Sequence, residues 1–121
     1  MTTSLMAILD EQLAAAEQAV MVSTGGAAWC QLQRDGRVTG GVKYDEGRLA
    51  ALMAIRRRWR TCDPAAWEQL LIDELQQWRQ GLADVQKQPK PALPWLAYRQ
   101  GGVDALTMLH EAVQNTLIRP E

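Results

Sequence analysis

A chain of 121 residues is long enough for one domain with one core, and its 47% apolar and 22% charged residues exclude a disordered chain. A net charge of −1 at pH 7 excludes a protein that coats DNA through wholesale basicity, and no apolar run approaches the roughly 18 residues a membrane helix needs. The charge is unevenly placed: residues 1–33 carry Asp10, Glu11 and Glu17 and no base, whereas residues 34–60 carry eight bases against Asp35, Asp45 and Glu46.

The opening MTTSLMAIL lacks the basic stretch of a signal peptide. Cys30 and Cys62, the only two thiols, read as reduced, small buried hydrophobic residues rather than a disulfide framework. Both point to a cytoplasmic protein.

In chain order, the spacing of Leu5, Leu9, Leu13, Ala16 and Val20 predicts an amphipathic helix over 4–22, with Thr3 or Ser4 as its cap. The glycines of STGG end it. Asp35-Gly36, set between short runs in AAWCQLQRDGRVTGGVKY, predicts a two-stranded β-ribbon within 27–44. It pairs Gln33 with Val38 and Trp29 with Val42, although Gly40 and Gly41 weaken the return strand.

A second helix follows over 45–60, with Leu49, Leu52, Met53, Ile55 and Trp59 as its apolar set. Asp63-Pro64 then starts a third over 64–86, Asp63 suiting the cap and Pro64 the first helical position. Trp67, Leu70, Leu71, Leu75, Trp78, Leu82 and Val85 recur along it at three- and four-residue steps. The prolines of KQPKPALP, 87–94, predict an extended connector, and WLAY, 95–98, reads as a helical turn or a packing plug. Gly101-Gly102 precedes a last helix over 103–118, carrying Leu106, Leu109, Val113 and Leu117. The expected fold is a mainly α single domain, a small bundle of about four helices with one short ribbon between the first two.

The chemistry of nucleophiles, metals and cofactors has little to stand on. His110 is the single histidine, and HE at 110–111 lacks the second helical histidine of a zinc motif. Cys30 and Cys62 have no CxxC context, and neither TGG stretch has a Walker lysine or dinucleotide spacing. The adjacent carboxylates Asp10-Glu11, Asp45-Glu46 and Asp73-Glu74 diverge by about 100° on a helix, so none forms an acid/base dyad. A non-catalytic protein with no cofactor and no metal is expected.

The feature that remains is LMAIRRRWRTCDP, residues 52–64. Taking Leu49 as zero and about 100° per residue, Arg56 falls at about 340°, Arg60 at about 20° and Arg57 at about 80°, in the sector of Leu49 and Met53; Arg58 alone points to about 180°. Charges in a core-facing sector cannot stay buried and unpaired. Either the helix end projects past the core, or acids such as Glu68 or Asp73 meet the arginines, or an anion does. A helix C-terminus favours cations in any of these cases.

The favoured expectation is an assembly subunit of a larger protein or ribonucleoprotein complex. Arg56, Arg57, Arg58 and Arg60, with Lys43 and Arg37, would touch RNA or DNA backbone without sequence specificity, or an acidic partner. The alternative is a purely protein–protein component, such as a virion-joining protein, a homo-oligomer or an inhibitor of a larger machine. It would use Trp59, Trp78, Trp95, Leu96 and Tyr98.

QLQRDGRV followed by KYDEGRLAAL resembles, within residues 5–60, the helix–ribbon–helix pattern of small phage head–tail joining proteins, a local likeness rather than a family assignment. The long third helix and the proline-rich connector have no place in that pattern. Small helical subunits of RNA-guided effector complexes share this size and class, an analogy of architecture alone.

Overall fold

A computed structural model describes residues 2–24 and 40–118. Among these residues the chain forms four helices: α1 (Thr2–Thr24), α2 (Gly40–Thr61), α3 (Trp67–Gln86) and α4 (Leu93–Ile118), with one 3₁₀ turn, Pro64–Ala66, leading into α3. No strand occurs among them. The expected ribbon is corrected where it can be seen: Val42 lies inside α2, so it cannot pair with Trp29 as a strand residue. The rest of that segment, 25–39, lies outside the described residues.

The periodic residues form the core. Leu5, Leu9, Leu13 and Ala16 of α1 are buried against Ala51, Leu52, Ile55 and Trp59 of α2 and against Leu106, Leu109 and Val113 of α4, in one cluster with Trp67, Leu71 and Leu75 of α3. Stripes spaced at three and four residues bury side chains cooperatively, which holds helices of only modest intrinsic stability. α2 and α4 make the most extensive contact, α1 lies on α2, and α3 lies on α4.

The α2–α3 corner follows from local chemistry. Asp63 caps the 3₁₀ turn by accepting from Ala65 N at 2.9 Å, and Pro64 stands where a missing N–H costs no hydrogen bond. Trp59 and Trp67 stack across this corner at 4.9 Å with planes 4° apart. Their indoles are satisfied too, Trp59 Nε1 donating to Trp67 O at 3.0 Å and Trp67 Nε1 to Cys62 O at 3.2 Å.

Four boundaries differ from expectation. The helix expected from Pro64 is a 3₁₀ turn over Pro64–Ala66 and becomes α-helical only at Trp67. α1 begins at Thr2, so Thr3 and Ser4 lie in its first turn rather than at a cap. α2 begins at Gly40, ahead of the expected Asp45. α4 begins at Leu93 and runs unbroken through Gly101-Gly102, absorbing WLAY and shortening the connector. The reason lies in tertiary packing. A Cβ at Gly101 would sit 2.9 Å from the Tyr44 carbonyl carbon and closer still to its oxygen, and one at Gly102 would sit 2.7 Å from Trp78 Cδ2. These glycines are where α4 presses on α2 and α3, and that contact offsets their cost of about 1 kcal/mol each in helix propensity.

Candidate functional site

The arginine run occupies the last turns of α2, and its four members have different surroundings. Arg56 Nε lies 3.3 Å from Asp10 Oδ1 of α1, an exposed pair. Arg58 points the other way, its Nε 3.4 Å from Glu74 Oε1 of α3; the Glu74 side chain is 11% exposed and also accepts from Trp78 Nε1 at 3.2 Å. Arg57 and Arg60 are exposed, and neither guanidinium meets a carboxylate among the described residues. The acids that do pair are therefore Asp10 and Glu74. Glu68 instead accepts from Gln114 and Asp73 from Gln69.

The sector assigned to these arginines also needs correction. The centre of the core is marked by Ile55, Leu52 and Trp59, whereas Met53 is 45% exposed. The face shared by Met53, Arg56, Arg57 and Arg60 is thus the rim of the core, beside α1. There the two helices leave a cleft of about 240 Å³ lined by Leu13, Glu17, Met53, Arg56, Arg57 and Arg60. Leu13, Glu17 and Asp10 were invisible to a reading confined to the arginine run, because only the packing of α1 on α2 brings them there. The helix end is finished by Thr61 Oγ1, which donates to the carbonyls of Arg57 and Arg58 at 3.4 and 3.3 Å.

Lys43 does not join this surface. It is buried at 6% exposure in the first turn of α2, with Nζ 4.5 Å from the Trp95 ring centroid and 5.8 Å from that of Tyr98. A lysine stem can be covered by aromatics while its ammonium meets their π faces, and burial here follows from α4 crossing α2 at this point. Arg37, with Arg34 and Cys30, lies outside the described residues.

The expected apolar interface is divided as well. Trp59 is 1% exposed and belongs to the corner core, and Trp78 is buried between Glu74, Gly102 and Arg99, whose guanidinium lies 5.2 Å from its ring centroid. Leu96 and Tyr98 are half-buried, and the Tyr98 backbone abuts Gly47. Only Trp95 remains exposed, next to exposed Leu93.

Two further polar groups are structural in position. Tyr44 Oη donates to Asp104 Oδ2 at 2.5 Å, and Gln100 Nε2 donates to the same carboxylate at 2.7 Å. Burial and then the Asp104 hydrogen bond push the Tyr44 phenol up to about 12. Burial likewise raises Tyr98, with Glu46 adding to it. His110 is half-buried, its Nε2 3.4 Å from Gln114 Nε2, and Cys62, expected to be buried, is instead an exposed free thiol at the α2–α3 corner, beyond the core stripe of α2.

No group of three or more side chains suited to a metal ion occurs among the described residues, and no helix there is long and apolar enough to cross a membrane. Comparison with protein-family models, with curated proteins and with solved structures finds no significant match.

Proposed function

We propose that this chain is a small, cytoplasmic, non-catalytic binding subunit that attaches to a larger assembly by gripping an anionic partner with the end of α2. The observation that carries the reading is the pair Arg57 and Arg60, exposed beside Arg56 and met by no carboxylate among the described residues. Like charges three or four residues apart on a helix repel by about 0.2–0.5 kcal/mol per pair, so the cluster does not serve helix stability by itself. An anion laid along this face relieves that repulsion and meets guanidinium donors in bidentate geometry. Arg58 is held by Glu74, and Lys43 lies among aromatics, so neither belongs to the gripping set.

The test is fluorescence-anisotropy binding of single-stranded RNA, duplex DNA and poly-glutamate from low to physiological salt. Binding should weaken steeply with salt, and Arg57→Ala with Arg60→Ala should lower the logarithmic salt slope on nucleic acid by about 1.5. Failure of the native protein to bind any of these polyanions or any acidic peptide at low salt overturns the reading. A second reading, a purely protein–protein component, is favoured by exposed Leu93 and Trp95 at the start of α4. It predicts salt-insensitive association that weakens on Trp95→Ala.

A further inference from the structure

The cleft beside the arginines has features that a phosphate backbone does not use. Its floor is apolar, formed by Leu13 and by Met53, which is 45% exposed. Its α1 side carries Glu17, and Asp10 flanks it in contact with Arg56. A continuous polyanion would meet both carboxylates at close range. Among the described residues no aromatic ring lines the cleft, so extended bases would find no platform there to stack on, and Trp59 is sealed in the core. The volume of about 240 Å³ is below the roughly 300–1,000 Å³ typical of small-molecule sites, and suits a protruding side chain better than a cofactor.

From this we propose that the anionic partner is a protein: an acidic amphipathic helix that sets one apolar side chain on Met53 and Leu13 and places carboxylates on Arg57 and Arg60. Helix-in-groove recognition uses an anchor and its neighbours three and four residues away, which matches one apolar contact with two guanidinium groups beyond it towards the C-terminal end of α2. Methionine adapts its shape to different anchors, and arginine holds carboxylates through paired hydrogen bonds. A lysine or amide on the incoming helix would face Glu17, fixing its direction. This proposal rests on the reading of the α2 end as an anion-binding surface and names the occupant of that same site.

The experiment uses labelled helical peptides in which one leucine is flanked by glutamates in every combination of i±3 and i±4 positions. Each has a matched peptide with serine for leucine, and a single-stranded DNA oligonucleotide serves as a third probe. The proteins are the full chain, Met53→Gln, and the double variant Arg57→Ala, Arg60→Ala; circular dichroism confirms that each is folded. At least one leucine peptide should bind, with affinity reduced about tenfold or more by serine substitution, by Met53→Gln and by the double variant. If DNA binds and is lost in the arginine variant while no leucine peptide outperforms its serine partner, the acidic-helix proposal falls and the anion-binding reading stands. If neither peptides nor DNA bind the native chain, both fall.

Discussion

Replacing Gly101 with alanine sets two calculable effects against each other. Alanine gains about 1 kcal/mol of helix propensity over glycine in a helix interior. The new Cβ, however, would lie 2.9 Å from the Tyr44 carbonyl carbon and 3.2 Å from Arg48 N, with the Tyr44 oxygen nearer still. All three are backbone atoms of α2 and cannot rotate aside, so the helices must separate by on the order of 1 Å, and such overpacking typically costs about 1–3 kcal/mol. Separation also strains the Tyr44–Asp104 hydrogen bond, worth about 1.5–3 kcal/mol where one partner is charged. The net expectation is a loss of about 1–3 kcal/mol. Gly81→Ala is the internal control. The nearest atoms to its Cβ would be those of the Arg99 guanidinium, 3.0 Å away at the end of a flexible side chain, so the propensity gain dominates and stability rises by about 0.5 kcal/mol. Urea titrations followed by circular dichroism measure both. Gly101→Ala at or above wild-type stability, or a shared sign for the two variants, would refute the close crossing of α2 and α4.

Arg58→Ala should destabilise the chain by about 1 kcal/mol, because it leaves the largely buried Glu74 carboxylate with only the Trp78 N–H, and Arg58 itself is 42% exposed. Arg57→Ala with Arg60→Ala should change stability by less than about 0.5 kcal/mol in the same urea titration; a loss as large as that of Arg58→Ala would mean that these arginines hold the fold. Tyr44 supplies a pH signature: its phenol is raised from 10.0 to about 12 in the fold, so its contribution is complete below pH 10 and disappears as pH rises through 12. Tyr44→Phe should therefore flatten the alkaline loss of stability in that window, and parallel curves for the two proteins would rule out the buried Tyr44 phenol as its source.

What was legible in the sequence had local causes. The leucine stripes of α1 and α3 follow from helical period, and the Asp63-Pro64 start of the 3₁₀ turn follows from capping chemistry, so both could be read without a partner in view. Gly101-Gly102 reads locally as a break and is held helical by backbone and indole groups belonging to α2 and α3. Lys43 reads as a solvated base because the rings that cover it, Trp95 and Tyr98, arrive from α4. The arginine run was visible as a cluster, but its division into paired and unpaired members was not. Asp10 and Glu74, the acids that make that division, reach it from α1 and α3.

That division gives the candidate site its physical meaning. Arg58 compensates a carboxylate that burial would otherwise leave costly, and Arg56 ties α2 to α1 through Asp10. Arg57 and Arg60 have neither task. The dipole of α2 favours Arg60, in its last turn, by about 0.3–1 kcal/mol, while the like-charged pairs Arg57–Arg60 and Arg56–Arg60 each subtract about 0.2–0.5 kcal/mol. The two terms nearly cancel, so the fold is about as stable without them. Two guanidinium groups that the fold does not need stand on the rim of an apolar cleft, with no described carboxylate to satisfy them. On the proposed reading, an anion bound at this rim would realise the free energy they offer, and the apolar lining beside them would favour one that brings a hydrocarbon side chain with it.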